Sequence, residues 1–248
     1  MRGYTDAGVY ASAYNLAQYA IGTLLSGIGL ASLPLAVATY RLHEQSSAIA
    51  VLERNLLIGI GVGLPAVVGL GMLASQAGRV LLGNYVAGQS SFVTMIIAIA
   101  IGFAAVRSYC LDPVFMLHER TWLQTAVVGS SAALNVGLNL ALIPRWGAIG
   151  AAFASLAAFV CALVASWLLG RRYMRLHLSV KDTGAIALGC ALMALVLIGV
   201  SSPNGHWPCL VVSVAVGALV YGCTVVGLNV AGSRVRLVAF VRDITLGR

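Results

Sequence analysis

The feature that most constrains this chain is a series of apolar stretches, each long enough to cross a bilayer, with charge confined largely to the segments between them. A membrane-spanning helix needs about 20 such residues. Seven stretches qualify, at approximately 8–39, 55–75, 91–117, 122–143, 147–170, 184–201 and 208–231. Only 9% of the 248 residues are charged, against roughly 25% in a soluble domain. A water-soluble fold this poor in charge would have no surface to show to solvent. The 28 glycines agree with a lipid setting, because Gly is more frequent in membrane helices than in soluble ones. The expected fold is therefore all-α, a polytopic transmembrane helical bundle of about seven spans.

Prolines mark where those spans should bend. The first stretch is too long for one straight crossing, and Pro34 near its end predicts a kink or an interfacial continuation. Pro65 falls in the middle of the second span and Pro113 late in the third. Membrane helices tolerate such prolines because neighbouring groups re-satisfy the carbonyls they free.

Orientation follows from the distribution of Lys and Arg over alternate loops. One set holds Arg2, Arg79 and Arg145; the other holds Arg41, Arg54, Arg120, Arg171, Arg172, Arg175, Lys181, Arg234, Arg236, Arg242 and Arg248. The richer side is expected to be cytoplasmic, with the C-terminus on it and the N-terminus periplasmic. An outward N-terminus without a signal peptide suggests missing earlier spans, or else a seven-span protein with a short translocated tail. In the tail, Leu237, Val238, Val241 and Ile244 share one helical face beside Arg234, Arg236 and Arg242. That pattern predicts an interfacial helix or basic cytoplasmic anchor, with ordinary disorder as the alternative.

Several function classes are disfavoured. The net charge of +8 comes without aromatics interleaved among the basic residues, so no nucleic-acid partner is expected. Cys110, Cys161, Cys190, Cys209 and Cys223 are scattered singly, with no metal-ligand or disulfide spacing. His118-Glu119 lacks the second histidine of a helical zinc-protease motif. The single lysine, Lys181, lies in a loop, and no Gly-x-Ser-x-Gly elbow occurs. His43, His118, His177 and His206 fall in loops. Neither an enzyme nor a cofactor is expected.

Polar groups inside spans carry the functional signal, because hydrocarbon penalises them. Arg107 and Asp112 are the one base and one acid clearly within a span. A spacing of five separates them by about 140° on a regular helix, so they should not pair unless Pro113 distorts it. Arg107 has two open placements: facing a water-filled cavity as an anion site, or snorkelling to the headgroups. Asn15, Gln18, Gly22 and Ser26 form one polar stripe at about 100° per residue; Gln124, Ser131, Asn135 and Asn139 form another. Each could line a cavity or join helices by hydrogen bonds. The substrate-binding candidates are Arg107, Asn15, Gln18, Gln124, Asn135 and Asp112. Gly59/Gly63, Gly147/Ala151 and Gly150/Ala154 are small-xxx-small pairs that permit close helix approach.

Two segments resemble a known family. The first is Ala7-Gly8-Val9-Tyr10-Ala11-Ser12-Ala13-Tyr14-Asn15-Leu16, with Leu33-Pro34 following; the second runs from Asn135-Val136-Gly137-Leu138-Asn139 through Ile143-Pro144-Arg145-Trp146-Gly147 to Ala148-Ile149-Gly150-Ala151-Ala152. Together they resemble the bacterial polysaccharide biosynthesis transporters, lipid-linked oligosaccharide flippases related to multidrug and toxin extrusion proteins. The resemblance covers roughly residues 7–175. It implies the C-terminal lobe of a two-lobed, 12–14-helix flippase working by alternating access in the bacterial inner membrane. It divides the chain into a lobe over 1–175, two additional helices over 176–231 and a basic tail over 232–248. The implied partners are a lipid-linked oligosaccharide, membrane lipids and a separately encoded N-terminal lobe or a second copy. The alternatives are half of a cation-coupled multidrug exporter, which would want acidic cavity residues, and a non-transporting fragment.

Overall fold

Where the apolar runs lie, helices form, and several continue past the ends of the runs. The computed structural model describes residues 2–42, 45–82, 84–200 and 207–230. The first helical run comprises α1 (Arg2–Ala17), a π-helical turn (Gln18–Gly22) and α2 (Thr23–Leu42). After it come α3 (Gln45–Leu82), α4 (Asn84–Val106), a second π turn (Arg107–Leu111) and the short α5 (Pro113–Leu117). The chain then forms α6 (Thr121–Gly170), α7 (Val180–Val200) and α8 (Trp207–Gly227). Pro34 lies inside α2, but the departure from α geometry in this run is the π turn well before it.

Six of these helical runs are long and apolar enough to cross a membrane. One of them, α6, is a hairpin of two arms. Gly147 at its bend has φ 56° and ψ −132°, a backbone conformation open almost only to glycine. Beyond the bend, a Cβ on Gly150 would come within 2.6 Å of the Leu142 carbonyl oxygen, so only glycine lets the arms close this tightly. Ser131 Oγ donates to the Ala158 carbonyl at 3.0 Å across the hairpin. Six helical runs with one folded back give seven crossings among the described residues, in agreement with the seven apolar stretches.

The bundle is built around α4, which touches α1, α3 and α6. Alternate apolar side chains of the first run and α4, including Ala13, Ile21, Leu25, Ile97 and Ile101, are fully or almost fully buried between them. Ala36, Leu52, Val114, Leu117 and Met174 form a second cluster that gathers the ends of α2, α5 and α6 with the start of α3. Arg41, Arg54, Arg120, Arg171, Arg172 and Arg175 belong to these same chain segments, so the most basic loops converge on one end of the bundle. There Glu53 Oε1 accepts from the His177 backbone N–H at 2.7 Å, and His118 sits between Tyr40 and Tyr173. The tail from 231 onward, His43 and His206 lie outside the described residues.

Two of the prolines, Pro65 within α3 and Pro113 at the start of α5, each acquire a donor from a neighbouring helix. Pro65 has no N–H to give the Gly61 carbonyl four residues back; Tyr221 of α8 donates its hydroxyl to that oxygen instead. Pro113 frees the Tyr109 carbonyl in the same way, and Asn55 of α3 donates to it at 2.9 Å. Such bonds in membrane bundles are worth about 0.6–2 kcal/mol each. Tyr221→Phe should therefore loosen α8 from α3 and lower the melting temperature of the purified protein. Gly147→Ala should cost about 1–3 kcal/mol from backbone strain, read as a larger fall in the same thermal melt, while Gly129→Ala, at an open position on the first arm, should leave it in place.

A candidate anion site at Arg107

The second π turn corrects the expected separation of Arg107 and Asp112. A π turn closes its hydrogen bonds from residue i to i+5, which sets residues five apart one above the other. The Asp112 N–H donates to the Arg107 carbonyl at 2.9 Å, and the same stacking brings Arg107 Nη1 to 3.1 Å from Asp112 Oδ2. On a regular α-helix the two would point apart; the extra residue in the turn makes them an ion pair.

Asp112 is fully buried, whereas the Arg107 side chain keeps 12% of its surface exposed. The Asp112 carboxylate also accepts a hydrogen bond from Ser166 Oγ at 2.9 Å, from the second arm of α6, and interacts with Gln124 from the first. Arg107 Nη2 donates to Ser108 Oγ at 2.9 Å. The ion pair itself is imperfect: neither Arg107 Nη1 nor Asp112 Oδ2 has an aligned hydrogen-bond partner.

The exposed part of Arg107 lines a cavity of about 300 Å³ between α1 and the two arms of α6. Its polar wall comes from Tyr10, Tyr14, Ser131, Asn135 and Ser155. Tyr10 and Tyr14 are four apart on α1 and so present both rings to one side, with centroids 6.0 Å apart. A hydrogen-bonded chain crosses this wall. Asn139 Nδ2 donates to Asn135 Oδ1 at 2.9 Å, Asn135 Nδ2 donates to Ser155 Oγ at 3.2 Å, and the Ser155 and Tyr10 hydroxyls share a bond of 2.7 Å. Among the described lining residues Arg107 carries the only formal charge. A cation set among neutral donors and acceptors is suited to an anion with polar substituents.

Of the expected site residues, Arg107 and Asn135 meet at this cavity. Asp112 pairs with the guanidinium and Gln124 engages the Asp112 carboxylate; neither lines the cavity. Asn15 and Gln18 do not line this cavity; both are exposed, and Gln18 opens the first π turn and folds over Gly22. Tyr10, Tyr14 and Ser155 were not singled out from the sequence as site residues. The i, i+4 tyrosine pair was visible there; Ser155, amid alanines, carried no signal.

A second, larger cavity of about 560 Å³ lies on the other side of the first run, between it, α3, α7 and α8. Leu16, Leu24, Pro65, Leu70, Met193 and Val214 give it an apolar wall.

These features define the architecture of a helical membrane lobe with a cation-bearing polar cavity, and its fold is similar to part of a lipid flippase. The solved structure of the lipid II flippase MurJ in an inward closed conformation superposes with a TM-score of 0.70 at 17% sequence identity. The match covers 91% of this chain and 50% of that one, so the chain spans about half the length of the flippase it resembles. No protein-family model matches the sequence, and no curated sequence matches it significantly.

The wall makes one prediction of its own. Asn135→Ala should break the hydrogen-bonded chain between Asn139 and Ser155, at a cost of about 1 kcal/mol. It should lower the melting temperature modestly and leave the Arg107–Asp112 pair in place, which a structure of the variant would show.

Proposed function

We propose that this chain is the C-terminal lobe of a flippase that moves polyisoprenyl-diphosphate-linked oligosaccharides across the bacterial inner membrane for polysaccharide assembly. The observation that carries the reading is Arg107, a cation held inside the bundle by a buried acid and opening into a neutral polar cavity. A lipid diphosphate is the anion a membrane delivers to such a place, and the planar guanidinium can grip two of its oxygens at once. The cavity has the volume of about ten waters, room for a diphosphate but not for an oligosaccharide. The sugars would occupy space between this lobe and its complement.

Residues 1–175 form the lobe proper in this reading, 176–231 contribute two additional helices, and 232–248 form a basic tail at the cytoplasmic surface. The convergence of basic loops on one end supports a cytoplasmic C-terminus and a periplasmic N-terminus. A separately encoded N-terminal lobe or a second copy of the chain completes the pathway, with membrane lipids around the outer helices. The drug-exporter reading is weaker because it needs an acid facing the cavity. Asp112, the one intramembrane acid, is buried and engaged by Arg107 and Ser166.

The test is polymer export in cells that depend on this protein, with membrane levels of each variant checked by immunoblot. Arg107→Ala should reduce export by about 10- to 100-fold, the worth of a charged hydrogen-bonded contact, and Arg107→Lys should restore part of it. Normal export by Arg107→Ala at normal abundance would remove the diphosphate site.

A further inference from the structure

The guanidinium proposed to receive the substrate is already occupied by Asp112. We infer that Asp112 is an internal competitor for Arg107, displaced when a diphosphate arrives and neutralised by one proton, so that anion entry is coupled to proton uptake. This rests on the assignment of Arg107 to the anion and adds the regulation of that same site.

Three observations carry it. First, the pair is in contact without being well bonded: Nη1 and Oδ2 lie 3.1 Å apart, yet both buried atoms lack an aligned hydrogen bond. A diphosphate offering two oxygens in the plane of the guanidinium makes the better partner. Second, Asp112 cannot follow Arg107 to the cavity or retreat to water, because it is fully buried and fastened to Ser166. Third, the π turn is what stacks the two along the chain. A turn that relaxes towards α geometry separates them, which supplies a route for the exchange.

Once Arg107 turns to the anion, a carboxylate remains in a low-dielectric site with its counter-charge withdrawn, a state that burial strongly disfavours. Protonation removes that charge. The proton is taken from the bulk, where a buffer acid is left as its conjugate base, passes through water in the cavity and forms an O–H bond on the Asp112 carboxyl, while Arg107 stays a cation throughout. The other groups around the carboxylate cannot take its place. Ser166 and Gln124, from the two arms of α6, do not titrate. On the π turn, the Cys110 thiol is directed at the Asn55 carbonyl of α3, and the Tyr109 ring lies on Gly29 of α2. Tyr40 and His118 stack on each other beyond α5. Asn55 is engaged with the Tyr109 carbonyl.

The sign of the pH dependence follows. The anion-bound state holds one more proton than the free state, so binding tightens as pH falls and weakens as pH rises.

The test uses the purified full chain in lipid nanodiscs and P1,P2-dimethyl diphosphate, a diester with no proton of its own to exchange near neutrality. Calorimetric titration in two buffers of different ionisation enthalpy reads protons taken up per anion bound. The wild type should take up close to one proton and bind about tenfold or more tightly at pH 5.5 than at pH 8. Asp112→Asn should bind tightly at both pH values with no proton uptake; a purely structural role for Asp112 would instead weaken binding at both. Arg107→Ala should not bind. Wild-type binding that requires Arg107 but takes up no proton would overturn the coupling and leave the anion site standing. Binding by Arg107→Ala equal to wild type would overturn the anion site itself. If Asp112→Asn does not fold, the wild-type proton count still decides the matter.

Discussion

A backbone carbonyl in hydrocarbon must find a donor inside the protein, and that requirement organises this bundle. Pro65 and Pro113 each strip a carbonyl of its helical partner. The molecule answers both losses through α3 and its neighbours: Tyr221 reaches Gly61 on α3, and Asn55 reaches out from α3 to Tyr109. The same two bonds thereby tie α8 and the α4–α5 junction to α3. At these two positions proline places a cross-link between helices.

The junction next to Pro113 is where structure passes into chemistry. Its π turn inserts one residue more than an α turn would hold, and the insertion stacks Arg107 over Asp112. A lone arginine at this depth would be drawn towards the headgroups. Paired with a buried acid that is itself held by Ser166 and Gln124, it stays inside and faces the polar cavity between α1 and the α6 hairpin. The hairpin depends in turn on Gly147 and Gly150, whose lack of side chains lets the two arms return close enough to enclose that cavity. Backbone geometry at two places thus sets one charge in one cavity.

Much of this was legible in the sequence. Apolar run length specified the helices, and Pro144-Arg145-Trp146-Gly147 divided the fourth and fifth spans at the point where α6 bends. The polar stripe through Ser131, Asn135 and Asn139 was visible at helical spacing, and it does form part of the cavity wall or the bonds behind it. What angular arithmetic could not reach was anything across a π turn. The stripe from Asn15 to Ser26 runs through Gln18–Gly22, where 100° per residue no longer applies, so that Asn15 and Gln18 are exposed while Gly22 is buried. The Arg107–Asp112 pair was hidden for the same reason. Asn55 and Ser155 were hidden for another: their roles depend on which helix lies opposite, and that is decided by tertiary packing.

The fold is similar to half of the MurJ lipid II flippase. The central claim is that the cavity at Arg107 receives the charged end of a diphosphate-linked glycolipid, and photo-crosslinking in membranes tests it most directly. A p-benzoylphenylalanine placed at Val128, in the cavity wall, should form an adduct with that lipid that disappears in the Arg107→Ala background. The same probe at Val212, exposed on the outside of α8, should capture bulk phospholipid only. Adducts of the glycolipid at Val212 and none at Val128 would contradict the account.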